Sequence, residues 1–352
     1  MSTDYDPMVT PYAVDENAFP WTGSLAERAG FLLRYAVLAP STHNTQPWKF
    51  ALVPGGIEVY ADYTRRMPVV DPGNRELLMS VGAAVFTLRV AAERFGLECR
   101  VTYSYTGDSE RPLASIALGP RPAGGTPDEA LASLFGPIVR RHTNRHPFLL
   151  SRVPEAIIRR IRGLEAGGMA GVSVSTDGSV NSQVSELVAS ADRAQLADPS
   201  FRSDVAEWVR PNWTQKHDGV TGAALAMNTV AAALGPWAAR VMDTGPVRAA
   251  RDRNLCAEAP GLVVIESEDA VPHWLACGEL LQHALLVLTR EGLHHSYFNM
   301  PVQVSDLRVR LRAVCGLSAW PQLLLRIGFS LTEPARTPRR SVDEVLMAAG
   351  AH

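Results

Sequence analysis

What this sequence lacks narrows it first. It has four cysteines in 352 residues, at 99, 256, 277 and 315. With no CxxC pair and no Cys/His spacing that suits zinc, a disulfide or metal framework is not expected, and the thiols read as reduced and mostly interior. It also lacks a surplus of either charge. The 34 basic and 36 acidic residues leave a formal net charge of −2. No global basic field draws the chain to nucleic acid, so any anion it binds must be met by a local cluster. Its start, MSTDYDPMVTPYAVDENAFP, has acidic residues and prolines where a signal peptide carries a basic stretch and an apolar core. Residues 1–23 therefore read as a disordered or loosely packed arm. No run suits a membrane. The nearest, GAALAMNTVAAALGPWAARVM over 222–242, is mostly alanine, is broken by Asn228, Gly235 and Pro236, and predicts one or two soluble helices. A cytoplasmic location is the expectation.

What is present is a chain that is 46% hydrophobic, enough for two average domains or for one large domain built from two related halves. Two segments decide for related halves. RELLMSVGAAVFTLRVAAERFGL (75–97) and VPHWLACGELLQHALLVLTREGL (271–293) align without a gap at an offset of 196 residues. Gly82 then matches Gly278, Arg94 matches Arg290, and Gly96 matches Gly292. Both segments carry apolar residues at helical spacing and end at a glycine suited to a C-cap. Glycine inside a helix costs about 1 kcal/mol relative to alanine, so one at the same point in both helices predicts a contact where no side chain fits. The flanks correspond too: IEVYADY (57–63) and GLVVIESED (261–269) precede the helices, CRVTYSY (99–105) and HSYFN (295–299) follow, and SIALG (115–119) and QLLLRIGF (322–329) come later. The expected fold is α+β, with a first half over 24–136 and a second over 137–346.

The halves differ at their edges. Only the first contains APSTHNTQPWKF (39–50); only the second opens with RRHTNRHPF (140–148) and ends with RTPRRSVDEVL (336–346). Residues 180–255 have no counterpart in the first half and read as helices joined by Pro/Gly/Asp breaks, a candidate lid.

RRHTNRHPF places Arg141, Thr143 and Arg145 at alternate extended positions, two guanidinium forks and a hydroxyl on one side, which suits a phosphate dianion. For this stretch alone a solvated basic loop is the alternative. Arg336, Arg339 and Arg340 form a second basic cluster. APSTHNTQPW offers the hydroxyls of Ser41 and Thr42 and the amides of Asn44 and Gln46 between Pro40 and Pro47, which limit backbone freedom. Such donors and acceptors suit a flavin edge, though a capped helix end would also use them. His43 invites an acid–base role, because its unperturbed pKa lies near neutrality.

APSTHNTQPWKF resembles the flavin-contacting loop of the nitroreductase superfamily, and RRHTNRHPF resembles that superfamily's FMN-phosphate motif. The two stand in reversed order along a duplicated chain. With the inserted helices and the terminal PRRSVDEVL, the pattern is most similar to the Acg-type members, in which one chain resembles a fused nitroreductase dimer. The resemblance implies a pseudo-dimer of nitroreductase-like halves holding one FMN between them under a helical lid. Its phosphate would lie on Arg141, Thr143 and Arg145, helped by Arg339 or Arg340. Its ribityl chain and ring would meet Pro40, Ser41, Thr42, Asn44 and Gln46, and the segment from Tyr297 through Asn299 and Met300 to Pro301 would lie along the ring edge. The resemblance further implies hydride transfer through flavin N5 from NAD(P)H to a nitro, quinone or similar small electron-poor acceptor, with no catalytic side chain and no metal. Two alternatives remain open: an FMN-holding protein with little turnover, and a flavin-dependent biosynthetic dehydrogenase. A chain carrying its own interface is expected as a monomer or weak homodimer, without nucleic-acid or membrane partners.

Overall fold

The computed structural model describes residues 5–104, 110–122, 124–227, 235, 237 and 240–348. The first half begins with helix α1 (Leu25–Ala36), started by a capping box in which the side chains of Ser24 and Glu27 satisfy each other's backbone N–H groups. Strands β1 (Trp48–Val53) and β2 (Gly56–Ala61), helix α2 (Arg75–Arg94), and strands β3 (Leu97–Tyr103) and β4 (Ala114–Pro120) follow. The strands form one antiparallel sheet in the order β1-β2-β4-β3.

The second half repeats that plan with an interruption. Strand β5 (Ala170–Ser175) leads into helices α3 (Gly178–Ala197), α4 (Pro199–Ala206) and α5 (Gly245–Ala257). Then come β6 (Gly261–Ser267), helix α6 (Val271–Arg290), β7 (His294–Tyr297), helix α7 (Ser305–Val314) and β8 (Trp320–Gly328). The sheet order is β5-β6-β8-β7, again antiparallel throughout. The insertion thus occupies the place where the first half has only the turn at Pro54–Gly55 between β1 and β2. It is not purely helical: Val209–Arg210 pairs in parallel with Val220–Thr221. Of the one or two helices expected over 222–242, residues 228–234, 236, 238 and 239 lie outside the described residues, residues 222–226 form turns, and residues 235, 237, 240 and 241 are helical.

The repeated glycines explain how the halves join. Helices α2 and α6 cross so closely that a methyl group at Gly82 would land on the Leu275 carbonyl, and one at Gly278 on the Met79 carbonyl. Gly82 meets Leu275, and its repeat-mate Gly278 meets Met79, the repeat-mate of Leu275, as in a two-fold dimer interface. Gln282 Nε2 donates to Thr87 Oγ1 across the same contact at 3.0 Å. Both helices end on a left-handed glycine, Gly96 at φ 70° and Gly292 at φ 76°.

The sheets differ in a way their sequences display. Strand β4 alternates buried and solvent-facing residues, whereas β6 and β8 are buried almost throughout. Val263, Ile265, Leu323 and Leu325 pack into the central core with α6. Leu262, Val264 and Leu324 point the other way, into a second core with Val184, Leu187 and Val188 of α3 and Leu307 and Leu311 of α7. A strand buried on both faces reads as a continuous apolar run. Much of the supposed lid is therefore a structural layer; α3 and α5 cannot swing away without exposing that core.

The N-terminal arm departs from expectation. Tyr12 and Phe19 are buried, Phe19 stacks on Phe95 with ring centroids 4.3 Å apart, and Tyr12 donates its hydroxyl proton to the Thr337 carbonyl at 2.8 Å. The aromatic residues among its prolines anchor it. The C-terminal segment in turn crosses to the first half, where Met347 N donates to the Phe50 carbonyl at 2.7 Å. Among the described residues no helix is long and apolar enough to cross a membrane.

Candidate functional site

The segment after α1 is strained. His43, Asn44 and Gln46 take left-handed φ values of 47°, 57° and 50°, a conformation that costs a non-glycine residue about 1–3 kcal/mol and persists only when its surroundings enforce it. Here they do. Gln46 N donates to Ser41 Oγ at 2.9 Å and Thr42 Oγ1 to Glu76 Oε2 at 2.9 Å. Asn44 Nδ2 donates to the Gly219 and Pro338 carbonyls, both at 2.8 Å, and its Oδ1 accepts from Arg339 Nη1 at 2.8 Å. The loop is thereby tied to the insertion on one side and to the C-terminal arm on the other.

The second motif runs beside β7, where Thr143 bridges in parallel to His295. Its extended backbone brings Arg141, Thr143 and Arg145 to the same cavity as the strained loop, a space of about 330 Å³ between the two halves. His142 lines it too, so the alternation is not strict. Arg141 is 3% exposed, and among the described residues its one side-chain hydrogen bond runs from Nη2 to the Leu38 carbonyl at 3.4 Å. Its Nε and that of Arg339 have no partner. Arg145 donates from Nη1 to the Ala224 carbonyl at 2.8 Å. Among the described residues none of these three arginines pairs with a carboxylate. Burial pushes both Arg141 and Arg145 down to about 10, with Arg339 adding to the effect on the first and Arg248 on the second. Buried cations without counter-charges are costly, and an anion in the cavity would offset that cost.

The cavity lining also carries groups that the sequence motifs did not reveal. Gln303 Nε2 donates to Glu76 Oε1 at 2.7 Å, and Gln195 Nε2 donates to Gln303 Oε1 at 2.9 Å. Glu76 is buried, and burial together with nearby Asp71 raises its pKa. Asp192 faces Arg248 at 3.7 Å, Arg248 also reaches Asp252 at 3.3 Å, and burial pushes Asp192 up to about 7. Glu76 stands in an ordinary helical stretch, and the insertion has no motif. Only folding brings these residues to the same cavity as the arginines. His43 is pushed down to about 3 by burial and by Arg145 and Arg248, so near neutral pH it is an uncharged imidazole. That leaves no imidazolium there to act as an acid.

Of the expected contacts, Pro40, Ser41, Thr42, Asn44, Arg141, Thr143, Arg145, Asn299, Met300 and Arg339 line this one cavity. Three do not. Gln46 is fully buried behind the loop, donating to the His217 carbonyl at 2.8 Å and accepting from Arg340 N at 2.8 Å. Arg340 points away, donating to the Gln46 carbonyl at 3.2 Å and lying 3.8 Å from Asp62. Pro301 is buried at the start of the short helix Met300–Gln303, where its missing N–H costs nothing. Asn44 reaches the cavity wall, but its amide is already committed to three protein partners. Asn299 Oδ1 likewise accepts from Leu324 N at 3.0 Å. Tyr297, by contrast, presents a hydroxyl without a partner to the cavity.

No protein-family model matches the chain. It is 27% identical over 328 residues to a Mycobacterium tuberculosis protein provisionally named NAD(P)H nitroreductase Rv3131, covering 91% of each. It is 25% identical over 319 residues to another from that organism, provisionally named NAD(P)H nitroreductase acg, covering 89% of this chain and 93% of that one. Among solved structures, the FMN-dependent nitroreductase NfnB of Mycobacterium smegmatis, in complex with NADPH, superposes with a TM-score of 0.40 at 16% identity. The match spans 62% of this chain and 99% of NfnB.

Proposed function

We propose that this chain, which is similar to Acg-type proteins of the nitroreductase superfamily, binds one FMN in the cavity between its halves and acts as an NAD(P)H-dependent oxidoreductase on a small electron-poor acceptor. The observation that carries the reading is the cluster of buried Arg141 and Arg339 and half-buried Arg145, which have no carboxylate partner among the described residues and line the same cavity as the neutral groups of Ser41 and Thr42. FMN fits that donor set. Its phosphate dianion supplies the counter-charge the guanidinium groups lack. Its ribityl hydroxyls and ring edge suit the Ser41 and Thr42 hydroxyls, and a space of about 330 Å³ lies within the range of about 300–1,000 Å³ usual for ligand sites.

When bound, FMN supplies the redox chemistry, hydride passing through its N5 between a reduced nicotinamide and the acceptor. The chain's own residues do the rest. Arg141, Thr143, Arg145 and Arg339 anchor the anionic end, and the strained loop holds Ser41 and Thr42 in one orientation. Leu196, Phe201, Val205 and Met227 from the insertion, which line the same cavity, exclude water from it.

A second reading has its own support. The insertion is fastened over the loop by the Asn44–Gly219 and Gln46–His217 hydrogen bonds and by the Arg65–Asp218 ion pair. A cover tied down in three places favours a protein that holds FMN and admits nicotinamide slowly. Anaerobic titration with NADPH separates the two. Purified protein is expected to be yellow with one FMN per chain, and stoichiometric bleaching of the flavin band identifies the oxidoreductase. A yellow protein that NADPH leaves unbleached identifies the holder, and a colourless protein that takes up no added FMN ends both.

A further inference from the structure

Strand β8 carries a cation among leucines. Arg326 shares a face of the strand with Leu324 and stands directly opposite Leu262 of β6. Both of those leucines belong to the second core. Arg326 is 1% exposed, and among the described residues no carboxylate forms an ion pair with it. Burial pushes it down to about 10, and Asp252 offsets that only in part. A leucine at this position would extend the core without burying a charge. What the arginine adds is a grip on backbone. Its Nη2 donates to the His146 carbonyl at 2.8 Å and to the Asn144 carbonyl at 3.4 Å. Its guanidinium lies over the Phe148 ring, 3.9 Å from the centroid.

Those two carbonyls stand on either side of Arg145. Arg251 Nη2, from α5, donates to the Arg145 carbonyl between them at 3.3 Å. Three successive carbonyls of the motif thus end on guanidinium groups of the second half. The Asn144 side chain completes the hold, donating from Nδ2 to the Thr332 carbonyl at 2.8 Å and accepting from His146 N at 3.0 Å. One guanidinium bonded to carbonyls two residues apart sets their separation, and with it the direction in which the side chain between them leaves the backbone. That side chain is Arg145, which lines the cavity; Arg326 itself is not among the lining residues.

We infer that Arg326 is a positioning residue for the anion-binding end of the cavity: by holding the carbonyls of Asn144 and His146 it aims the Arg145 guanidinium at the phosphate of the bound ligand. The inference rests on the FMN reading, which supplies that phosphate. Arg326 touches no ligand and acts through residue 145.

FMN and riboflavin share the ring and the ribityl chain and differ in the phosphate, so the ratio of their affinities reports the anion-binding end alone. The full chain, freed of flavin, is titrated with each, and binding is read from flavin fluorescence. In Arg326→Met, which keeps the length of the side chain and removes its donors, the preference for FMN is expected to fall at least about tenfold, the share of one misdirected charge-assisted hydrogen bond. Riboflavin affinity is expected to stay within about twofold of the wild type's. Arg326→Lys, a single point donor in place of the fork, should lose about threefold of the preference. The double variant with Arg145→Ala should lose no more of the preference than Arg145→Ala alone, because the two residues act as one unit.

An unchanged ratio in Arg326→Met overturns the inference. So does an equal weakening of both flavins, which makes Arg326 a structural residue, and so do losses that add in the double variant, which make it act independently of Arg145. Circular dichroism establishes that each variant is folded. Where Arg326→Met does not fold, Arg326→Lys decides on the same ratio, and an unchanged ratio there overturns the inference. A wild type that binds neither flavin, or both alike, ends the FMN reading and this inference with it. A wild-type preference for FMN that survives in the variants ends the inference alone.

Discussion

Arg141 and Arg145 show how a few residues define this site. Arg141 is buried and Arg145 half-buried, both are pushed down to about 10, and neither has a carboxylate partner among the described residues. A structural arginine would have been given one. Charge-assisted hydrogen bonds contribute about 1.5–3 kcal/mol each, so Arg141→Ala with Arg145→Ala is expected to weaken FMN binding by about a hundredfold or more. The purified variant should be colourless. It should still fold, because the substitutions remove uncompensated buried charge, and its flavin-free melting temperature is expected to match or exceed that of the flavin-free parent. Stoichiometric flavin in the double variant would place the phosphate elsewhere. At this scale the sequence was readable for the arginines, which fall within seven residues, and misleading for Gln46 and Arg340. Those two bond to each other behind the loop, and a linear pattern does not distinguish the front of a loop from its back.

Among the elements, the α2–α6 crossing was the most legible. Repeat and glycine together forecast a close contact, and the structure supplies it as two reciprocal backbone approaches at Gly82 and Gly278. Backbone cannot move aside as a flexible side chain can. Gly82→Ala or Gly278→Ala is therefore expected to destabilise by at least about 1–3 kcal/mol, the usual cost of overpacking a core. Chemical denaturation followed by circular dichroism would measure it, and an unchanged midpoint would show that the helices can separate freely. The insertion was less legible. Its helices α3 and α5 carry too little pattern to show that they cover the outer face of a sheet. The stronger clue lay in the strands, since GLVVIES has apolar residues for both faces where the first half's ASIALGP alternates.

In the molecule as a whole, several buried histidines point to acid sensitivity. Burial pushes His43 and His142 down to about 3 and His283 to about 4, and holds His295 well below its ordinary value. Each is neutral when folded but takes up a proton near pH 6.5 when unfolded. The unfolded state thus binds more protons below that pH, and stability present above 6.5 is lost as pH falls. Asp192 works the other way. Raised from 3.8 to about 7, it holds a proton in the folded state that the unfolded state has released, and costs stability as pH rises through that window. Asp71 and Glu76, which burial also raises, act in the same direction as Asp192, but the lowered histidines, His294 included, outnumber these three carboxyls five to three. The urea midpoint is expected to fall steadily between about pH 6.5 and 5, with His142→Gln reducing the slope by about one proton's worth. A flat profile over that range would mean these rings are solvated.

The sequence by itself determined the duplication, the α+β character of each half, the crossing of two glycine-bearing helices and the two motifs that meet at the cavity. All of these follow from local composition and period. Only the tertiary structure decided which residues of those motifs line the cavity, that an ordered N-terminal arm braces the C-terminal one, and that Glu76, Gln303, Gln195 and Asp192 line the same cavity. Those residues come from three separate segments and carry no local signature. Their chemistry arises from being buried together, and burial belongs to the folded chain rather than to any stretch of it.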